Sequence, residues 1–295
     1  MNNSLIITAN TKFLGIMGYP VAHSLSPTMH NAAFINSGLD WVYLTFAVSP
    51  GQLVDALRGL KALGMIGANV TIPHKEEAAL HVDELSPEAK LIGAVNVLGV
   101  KEGRLIGHNT DGIGFLQSLQ QNAQFTVKGS KVLILGAGGA ARAIALTLAS
   151  FGAAQIGIAN RTWQRGMDLA QVVKHSTGVE ARGLNLEPMD LEPWVKEADL
   201  IVQASSVGMH PESEELKWFN PQWLSAQTLV CDLIYNPSPT RFLKLASARG
   251  CRTLDGLGML LYQGAQGFTW WTGLEAPVGV MQQALLEGRA AIQNY

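Results

Sequence analysis

In Lys131-Val132-Leu133-Ile134-Leu135-Gly136-Ala137-Gly138-Gly139-Ala140-Ala141-Arg142, a short apolar run leads into a glycine turn, and an alanine- and leucine-rich stretch follows over residues 143–150. The pattern reads as strand, tight turn and helix. Glycine suits this turn because the backbone must bend sharply and let a pyrophosphate come close, while the free N-H groups and positive dipole end of the helix N-terminus attract the phosphates. A plain structural turn is the alternative reading. The strand before it and the helix after it supply the context that a dinucleotide site demands.

The next strand, Gln155-Ile156-Gly157-Ile158-Ala159, runs into Asn160-Arg161-Thr162-Trp163-Gln164-Arg165. An acidic residue at that point would bond the ribose hydroxyls of NAD. None is present. Two guanidiniums and a hydroxyl suit the extra phosphate of NADP, since arginine grips phosphate in a rigid fork. A solvated basic helix start is the competing reading, but cations at a helix N-terminus are otherwise unfavourable.

Outward from this segment, short β-rich runs alternate with helical patterns almost from end to end, as in an α/β protein with largely parallel strands. Strands are expected at residues 14–18, 41–47, 67–72, 94–101 and 104–108, and again at 131–135, 155–159, 200–204, 228–233 and 252–254. The two sets imply separate sheets. The turn signal Asn109-Thr110-Asp111-Gly112 marks a boundary near residues 111–115, and a return crossing is expected near Asp255-Gly256-Leu257-Gly258. The remaining residues, 259–295, read mainly as helix. The 295 residues suit two domains of roughly 100 to 200 residues each.

With 47% hydrophobic and 15% charged residues the chain can build a sizeable core. Twenty-one basic against 23 acidic side chains leave a formal charge of -2, which gives no general grip on nucleic acid or an anionic membrane. Cys231 and Cys251 form no CxxC pair, arguing against a disulfide scaffold or a cysteine-built metal site and for a reducing compartment. The N-terminal residues 1–8 show no secretory pattern, and the expected location is the cytoplasm. Residues 143–160 carry no charge, but Gly152, Gln155 and Gly157 split them into a helical piece and a strand-like piece, short of a membrane span.

Three polar clusters fall where strands of the N-terminal half end: Ser24-Leu25-Ser26-Pro27-Thr28-Met29-His30-Asn31, Asn69-Val70-Thr71-Ile72-Pro73-His74-Lys75, and Asn109-Thr110-Asp111-Gly112. Carboxyl ends of strands are where ligands bind in open α/β sheets. Each cluster also has a structural reading: Ser26-Pro27 as a helix cap, Asn69 and Thr71 as a polar strand face, Asp111-Gly112 as a turn.

Together these clusters resemble the shikimate dehydrogenase family over nearly the whole chain. S-x-S-P-x-x-H-N stands at residues 24–31, N-V-T-x-P-x-K at 69–75, G-A-V-N at 93–96, N-T-D-G at 109–112 and G-A-G-G-A at 136–140. N-R-T follows at 160–162, D-L-I-Y-N-P at 232–237 and D-G-x-G-M-L-x-x-Q-G-A at 255–265. The resemblance implies an N-terminal α/β substrate-binding and catalytic domain, residues 1–110 with 256–295 packing back on it. It also implies an NADP-binding Rossmann domain, residues 111–255, with the active site in the cleft between the two. The implied reaction is reversible NADPH-dependent reduction of 3-dehydroshikimate to shikimate, by a monomer or homodimer that holds no metal.

Residue by residue, the resemblance makes Lys75 and Asp111 the catalytic pair. Ser24 and Ser26 would bind the substrate carboxylate, Asn69, Thr71, Asn96 and Gln263 its other polar groups, and Tyr235 would lie near the pocket. Gly136, Ala137, Gly138, Gly139 and Ala140 would cradle the dinucleotide, Asn160, Arg161, Thr162 and Arg165 the ribose phosphate, with Gly256 and Met259 completing the cofactor site. The chemistry asks for such a set: hydride arriving at a carbonyl carbon develops negative charge on oxygen, which an ammonium such as Lys75 can stabilise and protonate. A carboxylate such as Asp111 could orient it. His74 is a rival acid, although Lys75 fills the motif position.

The chain departs from the family pattern at Val97, where Thr is usual, and over residues 203–209, where N-A-T-S-x-G-M reads Gln203-Ala204-Ser205-Ser206-Val207-Gly208-Met209. Trp163, Trp218, Trp223, Trp270 and Trp271 are expected in core packing, and Asp83 in a charged helical stretch outside the motifs. A quinate/shikimate or aminoshikimate dehydrogenase paralogue is the neighbouring alternative. A non-catalytic sensor of NADP or shikimate is an alternative of another class, against which intact Lys75 and Asp111 speak.

Overall fold

The computed structural model describes residues 7–208 and 218–293; the N-terminal residues read for a leader, 1–6, and Met209 of the departing motif lie outside them. The chain forms two compact units, the first reaching Gly114 and resuming at Leu260, the second running over Phe115–Met259. Each unit holds a six-stranded sheet.

The first unit runs β1 (Lys12–Gly18), α1 (Ser26–Asn36), β2 (Trp41–Ala47), α2 (Leu53–Ala62), β3 (Gly67–Val70), α3 (Lys75–His81), β4 (Glu84–Leu85), α4 (Pro87–Ile92), β5 (Val97–Lys101) and β6 (Arg104–His108). Its sheet has the order β2-β1-β3-β5-β6-β4. The largely parallel arrangement expected from the sequence holds for β2-β1-β3, but β5 is antiparallel to both β3 and β6. A two-residue turn explains the reversal: Glu102 and Gly103 both take positive φ, 53° and 75°, the conformation that joins antiparallel neighbours tightly. Leu57, Leu60, Met65, Val70, Val95 and Leu98 belong to the core cluster on this sheet.

The second unit is built from α5 (Asp111–Ala123), which crosses into it, then β7 (Lys131–Leu135), α6 (Gly139–Ser150), β8 (Gln155–Ala159), α7 (Trp163–Thr177) and β9 (Glu180–Leu184). After these come α8 (Pro188–Glu197), β10 (Leu200–Gln203), β11 (Leu229–Asp232), α9 (Arg241–Ala248) and β12 (Arg252–Leu254). The order β12-β11-β10-β7-β8-β9 is parallel throughout. Val132, Leu133, Ile134, Leu200, Ile201 and Val202 are all buried, because strands covered on both faces need apolar side chains on both. The chain closes with α10 (Leu257–Thr272), which returns to the first unit, and α11 (Val278–Gln293).

Strands β4 and β9 were invisible to the periodicity argument. β9, with Glu180 and Arg182, sits at a sheet edge, where charge discourages pairing with another chain. Asp83 is also displaced from its expected helix, which ends at His81; its carboxylate accepts hydrogen bonds from Leu105 N at 2.7 Å and Lys61 Nζ at 3.0 Å. Trp218 and Trp223 pack on the second core as expected, whereas Trp163 is 44% exposed at the start of α7. Cys231 and Cys251 are buried free thiols. Among the described residues no helix is long and apolar enough to cross a membrane, and no group of three or more His, Cys, Asp and Glu could hold a metal ion.

The open edge of β2 is closed by one side chain. Asn31 of α1 accepts from Tyr43 N at 2.7 Å and donates from Nδ2 to Tyr43 O at 3.0 Å, standing in for a missing strand. Replacing it by alanine strips two partly buried backbone groups of their partners. Asn31→Ala should therefore lower stability by about 1 to 3 kcal/mol, measured as a shift of the urea midpoint without a change of slope.

Candidate active site

Seven of the nine residues expected around the substrate make hydrogen bonds with one another within the first unit. Lys75 opens α3 and Asp111 opens α5, and Lys75 Nζ donates to Asp111 Oδ2 at 2.6 Å. The Asp111 side chain is 3% exposed and that of Lys75 16%, so the pair is largely shielded from water. Asp111 stands in the first turn of α5. Its backbone N-H donates to Asn109 Oδ1 at 3.0 Å, and Asn109 is anchored by donating to Ala94 O at 2.9 Å.

Asn96, buried just before β5, ties the pair to the rest. Its amide nitrogen lies 2.9 Å from Asp111 Oδ1, 3.0 Å from Thr110 Oγ1 and 3.1 Å from Gln263 Oε1, so two hydrogens are shared among three acceptors. Its side-chain oxygen accepts from Thr110 N at 2.8 Å. The backbone oxygen of Asn96 accepts from Asn69 Nδ2 at 2.9 Å, and Asn69 Oδ1 accepts from Tyr43 Oη at 2.5 Å. Burial opposes ionisation of the same phenol, and Ser26 pulls the other way. Ser24 Oγ accepts from Ser26 N at 3.3 Å. Thr71 follows on the chain from β3, its N-H donating to Met17 O at 2.9 Å.

Four readings change in this light. Ser26 is not a cap: α1 begins at Ser26 itself, the cap position belongs to Leu25, and Ser26 is buried toward Tyr43. His74, the rival acid, is fully buried and donates from Nε2 to Val48 O at 2.7 Å, so it supports the chain entering α3. Val97, the first departure from the family pattern, packs toward Gly267 of α10, on the opposite side of the chain from its neighbour Asn96. Tyr43 was missed altogether, because an alternating strand pattern says nothing about which inward phenol meets a polar partner. A tyrosine on the preceding strand of the chain, separated from Asn69 by β1 in the sheet, carries no local signal.

Tyr235 belongs to the second unit, on the loop after β11. That loop is held by two acids. Asp232 accepts from Ile234 N at 3.1 Å and Thr240 Oγ1 at 2.7 Å, while Asp255 accepts from Ser238 Oγ at 2.7 Å and caps α10 through Leu257 N at 3.1 Å. Burial pushes the Asp232 carboxyl up to about 6 against the pull of its two donors. Gly256 must lack a side chain, since a methyl there would run into the Leu233 carbonyl. Met259 follows, buried in the first turn of α10.

At the glycine turn, Gly136 has φ +128° and closes on Ala204, while nothing stands within 4 Å of where a Gly138 Cβ would be. Gly138 caps α6, and Gly139 and Ala140 form its first turn, only partly buried. Open space over helix N-H groups fits a phosphate. Beyond β8, Asn160 Nδ2 donates to Thr162 O at 2.9 Å, and Thr162 caps α7. Arg161 lies before α7, and Arg165 lies in its first turn. Arg165 reaches back, its Nη2 3.4 Å from Ala137 O in the glycine turn. Both arginines are exposed and no carboxylate ends β8, which fits a phosphorylated ribose.

The chain is similar to known proteins along nearly its whole length. The family patterns described as shikimate dehydrogenase substrate binding domain, shikimate / quinate 5-dehydrogenase and shikimate 5'-dehydrogenase C-terminal domain match residues 16–98, 118–217 and 256–286. The shikimate dehydrogenase (NADP(+)) of Methanopyrus kandleri is 48% identical, over 97% of this chain and 99% of its own length. A shikimate dehydrogenase crystallised in complex with NADP+ superposes with a TM-score of 0.86 at 41% identity, covering 96% of this chain and 97% of that one. The Thermus thermophilus shikimate 5-dehydrogenase in complex with NADP(H) and shikimate gives 0.83 at 38% identity, over 94% and 99% of the two chains.

His30, from the first motif, is fully buried against this network, its ring stacked 4.5 Å from that of Tyr43, and neither ring nitrogen has a hydrogen-bond partner among the described residues. Burial pushes its pKa down from 6.5 to about 3. The unfolded chain therefore takes up a proton on this ring at a pH where the folded chain does not. The stability gained from keeping it neutral is complete above pH 6.5 and is lost as the pH falls toward about 3. His30→Phe, which keeps the stack, should flatten the acid side of the stability curve in that window, as measured by urea midpoints at several pH values. An unchanged pH dependence would show that His30 is not the group responsible.

Proposed function

The chain belongs to the shikimate dehydrogenase family, and from that membership we propose that it catalyses the reversible NADPH-dependent reduction of 3-dehydroshikimate to shikimate, on the route to chorismate and the aromatic amino acids. The observation that carries the reading is the shielded Lys75–Asp111 pair, 2.6 Å apart and bonded through Asn96 to a row of neutral polar side chains. Such a row suits a small ring bearing hydroxyls, because amides and hydroxyls can both give and accept hydrogen bonds.

Ser24 and Ser26 bind the ring carboxylate, and Asn69, Thr71, Asn96 and Gln263 orient the hydroxyls. When bound, NADPH supplies the hydride to the carbonyl carbon. As that bond forms, the carbonyl oxygen gains negative charge, and the ammonium of Lys75 stabilises it and passes it a proton, giving the alcohol. In the oxidative direction the same pair takes up the hydroxyl proton. Asp111 aims the ammonium and accepts from a ring hydroxyl, while Asn96 keeps the carboxylate in one orientation.

The second unit, by this reading, holds the dinucleotide: Gly136, Ala137, Gly138, Gly139 and Ala140 at the pyrophosphate, Asn160, Arg161, Thr162 and Arg165 at the ribose phosphate, Gly256 and Met259 at the other end. The first unit, with the C-terminal helices, holds the substrate. The enzyme works in the cytoplasm as a monomer or homodimer on small molecules, without a nucleic-acid or membrane partner; its near-balanced charge supports that.

Lys75→Ala should reduce turnover by roughly a hundredfold or more, the scale of a general acid, while NADP binding stays close to wild type. Asp111→Asn should also lower turnover. Stopped-flow or steady-state nicotinamide absorbance checks both, and a folded Lys75→Ala enzyme with wild-type turnover would remove the lysine from the reaction.

For the cofactor, kcat/KM should be higher with NADP than with NAD. Arg161→Ala should cost about 1.5 to 3 kcal/mol with NADP and little with NAD, because one charge-assisted contact to phosphate is lost. A wild-type preference for NAD would contradict the phosphate pocket.

A further inference from the structure

Three neighbouring strands of the second unit end in one row: Leu135 of β7 is the register partner of Gln203 of β10, which partners Asp232 of β11. Each is followed by an irregular loop. Gln203 is fully buried, which a long polar side chain tolerates only when its hydrogen bonds are met. Its amide is committed to the loop it precedes. Nε2 donates to Val207 O at 2.9 Å, and Oε1 accepts from Ser205 N at 3.1 Å and from Ser205 Oγ at 3.0 Å. Ser205 Oγ in turn accepts from Val207 N at 3.3 Å.

The main chain at this point is tied on both sides. Ala204 N donates to Leu135 O at 2.9 Å, and Leu233 N donates to Gln203 O at 3.0 Å. The loop also bounds the glycine turn, since a Cβ on Gly136 would lie 3.0 Å from the Ala204 carbonyl atoms. Any shift of residues 204–208 therefore changes the clearance beside Gly136.

Strand order says which part of a dinucleotide meets this loop. β8, whose end carries Asn160 to Arg165, lies on one side of β7, and β10 lies on the other. With the pyrophosphate over the β7 turn and the phosphorylated ribose at β8, the nicotinamide half falls toward β10 and β11. We infer that Gln203 is a positioning residue for the nicotinamide half of the cofactor, acting through Ser205 and Val207 to set the loop 204–208 against Gly136. The inference rests on the reading of the second unit as the cofactor-binding one. It also accounts for Gln where the family pattern has Asn. An asparagine there would be one methylene shorter than the glutamine whose amide meets both Ser205 and Val207.

The test compares NADPH with 2′,5′-ADP, which has the phosphorylated ribose but no nicotinamide, as ligands of the intact enzyme. Gln203→Met keeps length and volume while removing the amide. Its dissociation constant for NADPH should rise about tenfold, with 2′,5′-ADP and the KM for shikimate within about twofold of wild type, as expected from local loss of neutral hydrogen bonds. Ser205→Ala, which leaves Gln203 in place, should shift NADPH in the same direction by about threefold and carries the test if Gln203→Met does not fold. Gln203→Asn should fall between wild type and Gln203→Met. Folded variants with unchanged NADPH affinity, or an equal loss for both ligands, would overturn the inference. Wild-type protein that binds neither ligand would instead overturn the cofactor reading beneath it.

Discussion

The first unit depends on how one buried amide is satisfied. Asn96 has two hydrogens and an acceptor, and they are used on Asp111 and Thr110 at the start of α5 and on Gln263 in α10, while its backbone oxygen accepts from Asn69 in β3. Leaving any of these groups buried without a partner costs about 1 to 3 kcal/mol, so the elements cannot drift apart independently. The same bonds that hold the fold together hold the Asp111 carboxylate toward Lys75. The contacts that stabilise this domain and those that shape the Lys75–Asp111 pair are one set, and a substitution at Asn96 would disturb both.

The second unit solves the opposite problem. Its central strands are apolar on both faces and carry little information about position, so loop geometry is imposed by the few polar residues at their ends. Gln203, Asp232 and Asp255 each fold the backbone that follows them through side-chain acceptors. Burial raises the Asp232 carboxyl toward neutrality, a cost accepted where a loop must keep one shape.

These two designs explain what the sequence could reveal. The βαβ unit at Lys131–Leu135 and Gly139–Ser150 was legible because glycine, apolar runs and helix formers sit side by side in the chain. Lys75 and Asp111 were legible through motifs, as residue types at strand ends. What could not be read was contact across distance. Tyr43 meets Asn69 only after two strands are brought into register, and Asn31 meets Tyr43 only after α1 is laid along β2. His74 looked chemical from its neighbours yet is turned inward to Val48, and the charged edge strand β9 gave too weak an alternation to be seen.

The reversed direction of β5 has a further result. Asn69 near the end of β3 pairs with Val97 at the start of β5, and Val97 pairs with His108 at the end of β6. One rim of the sheet thus gathers strand exits and a strand entrance, giving it more polar side chains than parallel strands alone could deliver. The opposite rim, at the Glu102–Gly103 turn, holds none of the residues assigned to chemistry. Added sequence at that turn would extend a hairpin away from the reacting groups, so this rim is where the domain can diverge in length, acquire appendages or accept a fused partner while its chemistry stays as it is.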